Sequence, residues 1–323
     1  MGASTPVIKL NNDIRCPIIG LDVSQIRIEE TENQITLKDI IYQSITKGIR
    51  LIVAEPANEI IVGEAINQAL NEHKVERNDL FIVTKLEFEE KENPEKALRD
   101  SLERLNLKSN YVDLYLDHWP SCINYNEPDK YRLIPVRETW EKMESLVNQK
   151  LTRSIGVSNY NIVNMLNILS KCKIKPVVCE VEFHPYLFQK DLKQFCDLEN
   201  IQIFAYNPLT KGEYPKKINL QKKCEGYLEA PLNFLAQKYN LTRTKLIINW
   251  HMALKIIPIL GIKIKKPENK ENQMVIVNNA IKKNLEFEKI EFDQKYIDFL
   301  CSFTENQFRL NDGFDIFGIN IFA

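Results

Sequence analysis

The chain has 323 residues, with 43 Lys+Arg against 44 Asp+Glu; it is long enough for a large core and has no charge excess suited to neutralising phosphates. Nucleic acid is therefore not expected as a partner. The seven cysteines are scattered, odd in number and never spaced as C-x-x-C, which predicts free thiols in a reducing compartment and neither disulfides nor a metal site.

The opening MGASTPVIKL lacks an apolar signal-peptide core, and no run of about 18 uncharged apolar residues occurs anywhere, so no membrane span is expected and the predicted location is the cytoplasm. The first clear unit is RLIVA (Arg50 to Ala54), a strand, followed by NEIIVGEAINQAL, whose apolar residues recur at three- and four-residue spacing. DLFIVTK, ending at Lys85, then leads into NPEKALRDSLERLN, where Pro94 suits a first helical turn. YVDLYLDH, the helix around RETWEKMESLVNQK, SIGVS, the helix around YNIVNMLNILSKC, PVVCEVE, KDLKQFCDLEN and QIFAYNP continue the alternation. Strands apolar on both faces and separated by helices predict a parallel sheet covered on both sides. A barrel and a doubly wound sheet fit this equally. The absence of G-x-G-x-x-G after any strand favours the barrel. The expected fold is α/β, a (β/α)8 TIM barrel formed by residues 1–323 as one domain, with a C-terminal tail over about 301–323.

Chemistry in such barrels sits at the C-terminal strand ends. The polar residues expected there are Lys85, His118 with Trp119, Ser158 with Asn159, Glu180 with Glu182, Tyr206 and Lys263. A lysine, a histidine and an aromatic ring converging on one mouth can polarise a carbonyl and stack on a flat cofactor. An ammonium facing a barrel interior also needs a carboxylate partner. His118 reads equally well as a satisfied core histidine. Tyr206 alone reads first as packing, and His184 in FHPY as structural.

DLYLDHWP, RETWEKMESLVNQKLTRSIGVSNYN, VEFHPYL, AYNPL and the ending FRLNDGFDIFGINIFA, in this order, resemble the aldo-keto reductase family, its aldose and xylose reductase branch in particular. The resemblance covers nearly the whole chain. It implies NADPH-dependent carbonyl reduction by a tetrad in which Tyr donates the proton, a Lys–Asp pair tunes it and His orients the substrate. It also implies a C-terminal loop over the pocket. Lys85 in IVTKL and His118 in YLDHWP match two members of the tetrad, and Trp119 falls in the substrate pocket.

The other two members are expected in a segment that here reads GIRLIVAEPANEIIVG. Gly48, Arg50, Asn58, Glu59, Val62 and Gly63 align it, Val53 stands at the Asp position, and the shortened AEPA contains no tyrosine. Among the residues that the resemblance assigns to the cofactor, Ser158, Asn159, Tyr206, Lys263 and Asn272 match. Glu180 replaces a Gln, Cys179 an Asn, Ile264 a Ser and Asn269 an Arg, and Asp22 brings a carboxylate near the ring portion. A glutamate accepts hydrogen bonds and cannot donate to a carboxamide oxygen unless protonated. Lys265 and Lys266 offer charge without the planar fork that grips phosphate in two places.

The resemblance thus implies NADPH, and the substitutions weigh against its binding; no metal is expected. The sequence reading is a barrel that has lost or severely weakened NADPH-dependent carbonyl reduction, retained as a binding or structural component of an assembly with other proteins. Its alternative is an active NAD(P)H-dependent aldehyde/ketone oxidoreductase with a rearranged site, in which Glu55 pairs with Lys85 and His118 serves as the acid. A third, weaker reading is a subunit that binds NADPH without turnover.

Overall fold

The computed structural model describes residues 6–28, 35–121, 133–210, 229–264, 273–285, 290–302, 309–311, 317 and 322. Eight strands close a parallel barrel: β3 (Gly20–Asp22), β5 (Leu51–Val53), β6 (Phe81–Leu86), β7 (Leu114–Asp117), β8 (Ile155–Ser158), β9 (Val178–Glu182), β10 (Gln202–Tyr206) and β11 (Ile257–Leu260). They neighbour one another in chain order, and β11 pairs with β3 through Leu260 and Leu21 to close the ring. The (β/α)8 barrel expected from strand–helix alternation is the observed fold.

Around it lie α1 (Leu37–Thr46), α2 (Glu59–Asn71), α3 (Pro94–Leu105), α4 (Val136–Asn148), α5 (Ile162–Leu169), α6 (Lys190–Leu198), α7 (Glu229–Lys238), α8 (Arg243–Ala253), α9 (Gln273–Leu285) and α10 (Gln294–Cys301). Local chemistry sets their ends. Asn93 caps α3 by accepting from Lys96 N, Pro94 fills the first turn where no N–H is needed, and Asn106 ends the helix in the left-handed region at φ 47°. Thr36 and Asp39 form a reciprocal capping box on α1. Gly63 lets α2 touch α3, because a Cβ there would lie 2.0 Å from the Leu105 carbonyl oxygen. Helix α8 is buried through Leu246, Ile247, Ile248, Asn249, Trp250 and His251 without a break, so it lacks a polar face.

Leu51, Val53, Phe81, Val83, Leu114, Leu116, Val178, Phe204, Ile257 and Ile259 form one cluster that fills the lumen. A hairpin of β1 (Val7–Lys9) and β2 (Arg15–Pro17) adds Leu10 and Cys16 to it. Its loop is fastened by Asn11 Nδ2 donating to Pro176 O at 2.9 Å and Asn12 Nδ2 to Ser154 Oγ at 2.9 Å, both just ahead of barrel strands. The hairpin plugs the N-terminal end. Because successive strand side chains alternate between faces, the residues two positions beyond these fillers also point into the lumen, at its C-terminal mouth. Beside the mouth, β4 (Arg27–Ile28) pairs in parallel with β12 (Lys263–Ile264).

Five cysteines fall among the described residues, Cys16, Cys172, Cys179, Cys196 and Cys301, and all are free thiols. No helix among the described residues is long and apolar enough to cross a membrane.

Candidate active site at the barrel mouth

The strand alternation places Asp22 above Gly20, Lys85 above Val83, His118 above Leu116, Ser158 above Gly156, Glu180 above Val178 and Tyr206 above Phe204. Strands β6 and β9 are separated by β7 and β8, so their side chains meet only through the lumen. Lys85 and Glu180 do so: Nζ lies 2.8 Å from Glu180 Oε2, and also 3.2 Å from Glu55 Oε1. Asp22, at the end of the strand next to β5, is the third carboxylate acting on this ammonium. Burial opposes the Lys85 charge, but Glu180, Glu55 and Asp22 together outweigh it and hold the ammonium well above its usual range.

Val53, where the family resemblance places the carboxylate, is buried among the lumen fillers. Lys85 nevertheless has carboxylate partners, among them Glu55, the pairing that the alternative sequence reading requires. The charge lost from the end of β5 is replaced by Glu55 two residues further on, by Glu180 across the lumen and by Asp22 on the neighbouring strand. The lysine drives this arrangement, since a buried ammonium without counter-charge is costly. Asp22 itself is pushed up to about 6, chiefly by burial and further by Glu55 and Glu180, against the lowering effects of Lys85 and of the hydrogen bond from Ser24. Its Oδ1 accepts from Ser24 N at 3.0 Å and from Ser24 Oγ at 2.7 Å.

The other expected site residues are joined to one another. Ser158 Oγ donates to Glu180 Oε2 at 2.8 Å. Asn159, held at φ 63°, donates through Nδ2 to the His118 carbonyl at 3.1 Å, and its Oδ1 accepts from the Tyr206 hydroxyl at 2.7 Å. Burial, with Glu182 and Glu180 nearby, drives the Tyr206 phenol strongly upward, so it remains protonated. Glu180 Oε1 is buried and accepts no hydrogen bond among the described residues. Cys179 is buried in the layer between barrel and helices, off the lumen. Lys263 is exposed on β12, Ile264 is buried, and Lys265, Lys266, Asn269 and Asn272 lie outside the described residues.

Several partners escaped sequence reasoning. Glu87 places both carboxylate oxygens 3.0 Å from His118 Nδ1. His184, fully buried as its structural reading requires, bonds through Nε2 to Glu182 Oε1 at 2.9 Å. Glu182 also accepts from the backbone: Leu310 N reaches Oε1 at 2.8 Å and Asn311 N reaches Oε2 at 2.9 Å. The C-terminal tail is thereby fastened to β9. It also packs Phe317 edge-on against Trp119 and Phe88, with ring centroids 5.3 Å apart in both pairs. Trp119 and Phe317 are both buried, so the Phe317 ring covers Trp119 and Phe88, which follow β7 and β6. The only signal in the sequence was the position of these carboxylates at strand ends.

Residues 54–292 match the model of the aldo/keto reductase family. The chain belongs to the aldo/keto reductase family. Among curated members, it is 34% identical to aldose reductase B of Dictyostelium discoideum over 78% of this chain and 81% of that one. It is 31% identical to the NADH-dependent D-xylose reductase of Candida parapsilosis over 79% and 83%. Among solved structures, a Bombyx mori aldo-keto reductase in complex with NADP superposes with a TM-score of 0.74 at 25% identity, covering 97% of this chain and 98% of the other. This aldo/keto reductase fold therefore presents a charged cluster of Lys85, Glu180, Glu55 and Asp22 at the end of the barrel where the family's chemistry is expected.

Proposed function

We propose that this aldo/keto reductase has lost or severely weakened ordinary NADPH-dependent carbonyl reduction and is retained as a binding or structural component of a larger protein assembly. The observation that carries this reading is the Lys85–Glu180 contact at 2.8 Å, with Glu55 at 3.2 Å and Asp22 beside them. A reduced carbonyl develops negative charge on oxygen, which needs a proton donor and a positive environment. Three carboxylates around one ammonium supply the opposite field, and AEPA (residues 54–57) offers no tyrosine hydroxyl. Loss of a positioned general acid alone lowers rates by about 10²- to 10⁴-fold.

The nicotinamide end of the cofactor fits this set of side chains poorly. Its carboxamide oxygen requires donors, yet the Ser158 hydroxyl is committed to Glu180 and the Asn159 amide to the His118 carbonyl. Glu180 Oε1 can only accept. At the other end, Lys263 is exposed on β12.

A second reading, an active NAD(P)H-dependent aldehyde or ketone reductase with a rearranged acid, is favoured by the Glu87–His118 contact at 3.0 Å. A carboxylate on Nδ1 fixes the ring and leaves Nε2 to donate a proton to substrate, as in other carboxylate–histidine arrangements. The reductase names of its relatives point the same way.

Titrating NADPH and NADH into purified protein, followed by thermal shift and tryptophan fluorescence, separates the two. No saturation at millimolar cofactor supports the first reading. Micromolar binding followed by aldehyde turnover that His118→Ala abolishes establishes the second.

A further inference from the structure

We propose that Asp117, held between Lys91 and Tyr160, is a positioning residue that sets the His118 ring against Glu87 and so fixes which ring nitrogen carries the proton. The proposal goes beyond the functional reading and does not depend on it, since neither cofactor nor substrate enters the geometry.

Three buried polar side chains carry it. Asp117 is 0% exposed, and Lys91 and Tyr160 are each 1% exposed. Lys91 Nζ lies 2.8 Å from Asp117 Oδ1 and 3.0 Å from Oδ2, and the Tyr160 hydroxyl donates to Oδ2 at 2.6 Å. Strand alternation turns Asp117, like Tyr115, away from the lumen and His118 toward it. The cluster therefore sits behind the mouth, in the layer between barrel and helices. A buried ion pair adds little stability over an apolar set of equal volume, so its contribution here is geometric.

Asp117 and His118 are consecutive at the end of β7, and the partners of one are chain neighbours of the partners of the other. Glu87, whose two carboxylate oxygens lie 3.0 Å from His118 Nδ1, is joined to Lys91 by the single turn Phe88–Glu90. Asn159, which donates to the His118 carbonyl at 3.1 Å, directly precedes Tyr160. The loops after β6 and β8 thus each grip the end of β7 twice, once at His118 and once at Asp117. With both ends of its turn fastened, the Glu87 carboxylate has one place relative to the ring. A carboxylate facing Nδ1 accepts only from a protonated Nδ1, so the neutral ring is held as the Nδ1–H tautomer. Nε2 makes no hydrogen bond among the described residues, and it is then the acceptor atom that His118 presents.

The test reads the His118 tautomer from imidazole nitrogen shifts in the isotope-labelled full chain, with pH raised until the ring signals stop changing. The chain has four histidines, so His118→Ala assigns the signals. Wild type is expected to show Nδ1–H in at least about tenfold excess over Nε2–H, and Glu87→Ala to lose that preference. Lys91→Met, Asp117→Leu and Tyr160→Phe combined replace the charged set by apolar side chains and keep Glu87. In that variant, shown to be folded by far-ultraviolet circular dichroism, the ratio shifts at least about fivefold toward Nε2–H. Tyr160→Phe alone shifts it in the same direction by about twofold. Gly63→Ala, which strains the α2–α3 contact away from the mouth, leaves the ratio unchanged and so separates positioning from general destabilisation. A wild-type ratio in the combined variant overturns the proposal, as does an equal shift in Gly63→Ala. Where the combined variant does not fold, an unchanged ratio in Tyr160→Phe overturns it. NADPH titration of the same preparation decides the functional reading separately.

Discussion

Lys85 Nζ and Glu180 Oε2 meet at 2.8 Å across the lumen, from strands β6 and β9 that have two other strands between them. The contact is buried on both sides, with side-chain exposures of 5% and 1%. It fixes the charge of the lysine, uses one oxygen of the glutamate and draws in Ser158, so three positions that could address a substrate address one another instead.

Removing one partner of that pair leaves the other charge buried. Lys85→Met is therefore expected to lower stability by about 3–5 kcal/mol in urea unfolding, and Glu180→Gln added to it restores a measurable part of the loss. Strictly additive effects in this double-mutant cycle count against the pair as described.

Asp22 makes a pH-dependent contribution of defined sign. Its folded-state value of about 6 lies above the ordinary value of 3.8, with Lys85, Glu55, Glu180 and Ser24 as the groups that face it. A raised carboxyl binds its proton more tightly in the folded state. Its stabilising contribution is thus complete below the ordinary value and is lost as pH rises to about 6. Asp22→Asn keeps the Oδ1 acceptor for Ser24 and is expected to raise stability at pH 8 by on the order of 2–3 kcal/mol, a gain that disappears near pH 4. Equal effects of the substitution at both pH values would show that the carboxyl is not perturbed.

The tail is held by Glu182 at its start and by Phe317 on Trp119. Phe317→Ala removes a fully buried ring, worth about 3 kcal/mol of docking, and amide exchange at Leu310 and Asn311 should accelerate by about 100-fold while the barrel strands keep their protection. Unchanged exchange at those two amides would mean that Glu182 alone secures the tail.

Gly63 offers a test of the helical layer away from the mouth. With the Leu105 carbonyl oxygen 2.0 Å from the position of an added Cβ, Gly63→Ala must push α2 from α3, and a loss of about 2–3 kcal/mol in thermal or urea unfolding is expected. A neutral substitution would show that the two helices can separate freely.

The barrel was legible because its strands are short continuous apolar runs such as FIVTKL and its helices carry end signals such as Asn93–Pro94. Lys85 and His118 could be placed at the mouth for the same reason: each follows an apolar run by a fixed period of two. Pairing Glu55 with Lys85 was legible as an option, since the two lie at the ends of neighbouring strands. What the sequence hid is contact across the ring. Glu180 on Lys85 depends on barrel closure, and a glutamate at a cofactor position reads as a changed hydrogen-bonding partner until the lumen is built. Glu87 on His118 and Glu182 on the Leu310 and Asn311 amides were hidden likewise, because neither loop path follows from residue pattern.

The most direct test of the account is the rate of NADPH-dependent benzaldehyde reduction by the purified chain, compared with its Lys85→Met variant. The account predicts turnover at least about 10²-fold below the ordinary enzymatic range of 1–10³ s⁻¹, with no further loss in a folded variant. Turnover within that range, abolished by Lys85→Met, would contradict it and make the Lys85 cluster a working catalytic centre.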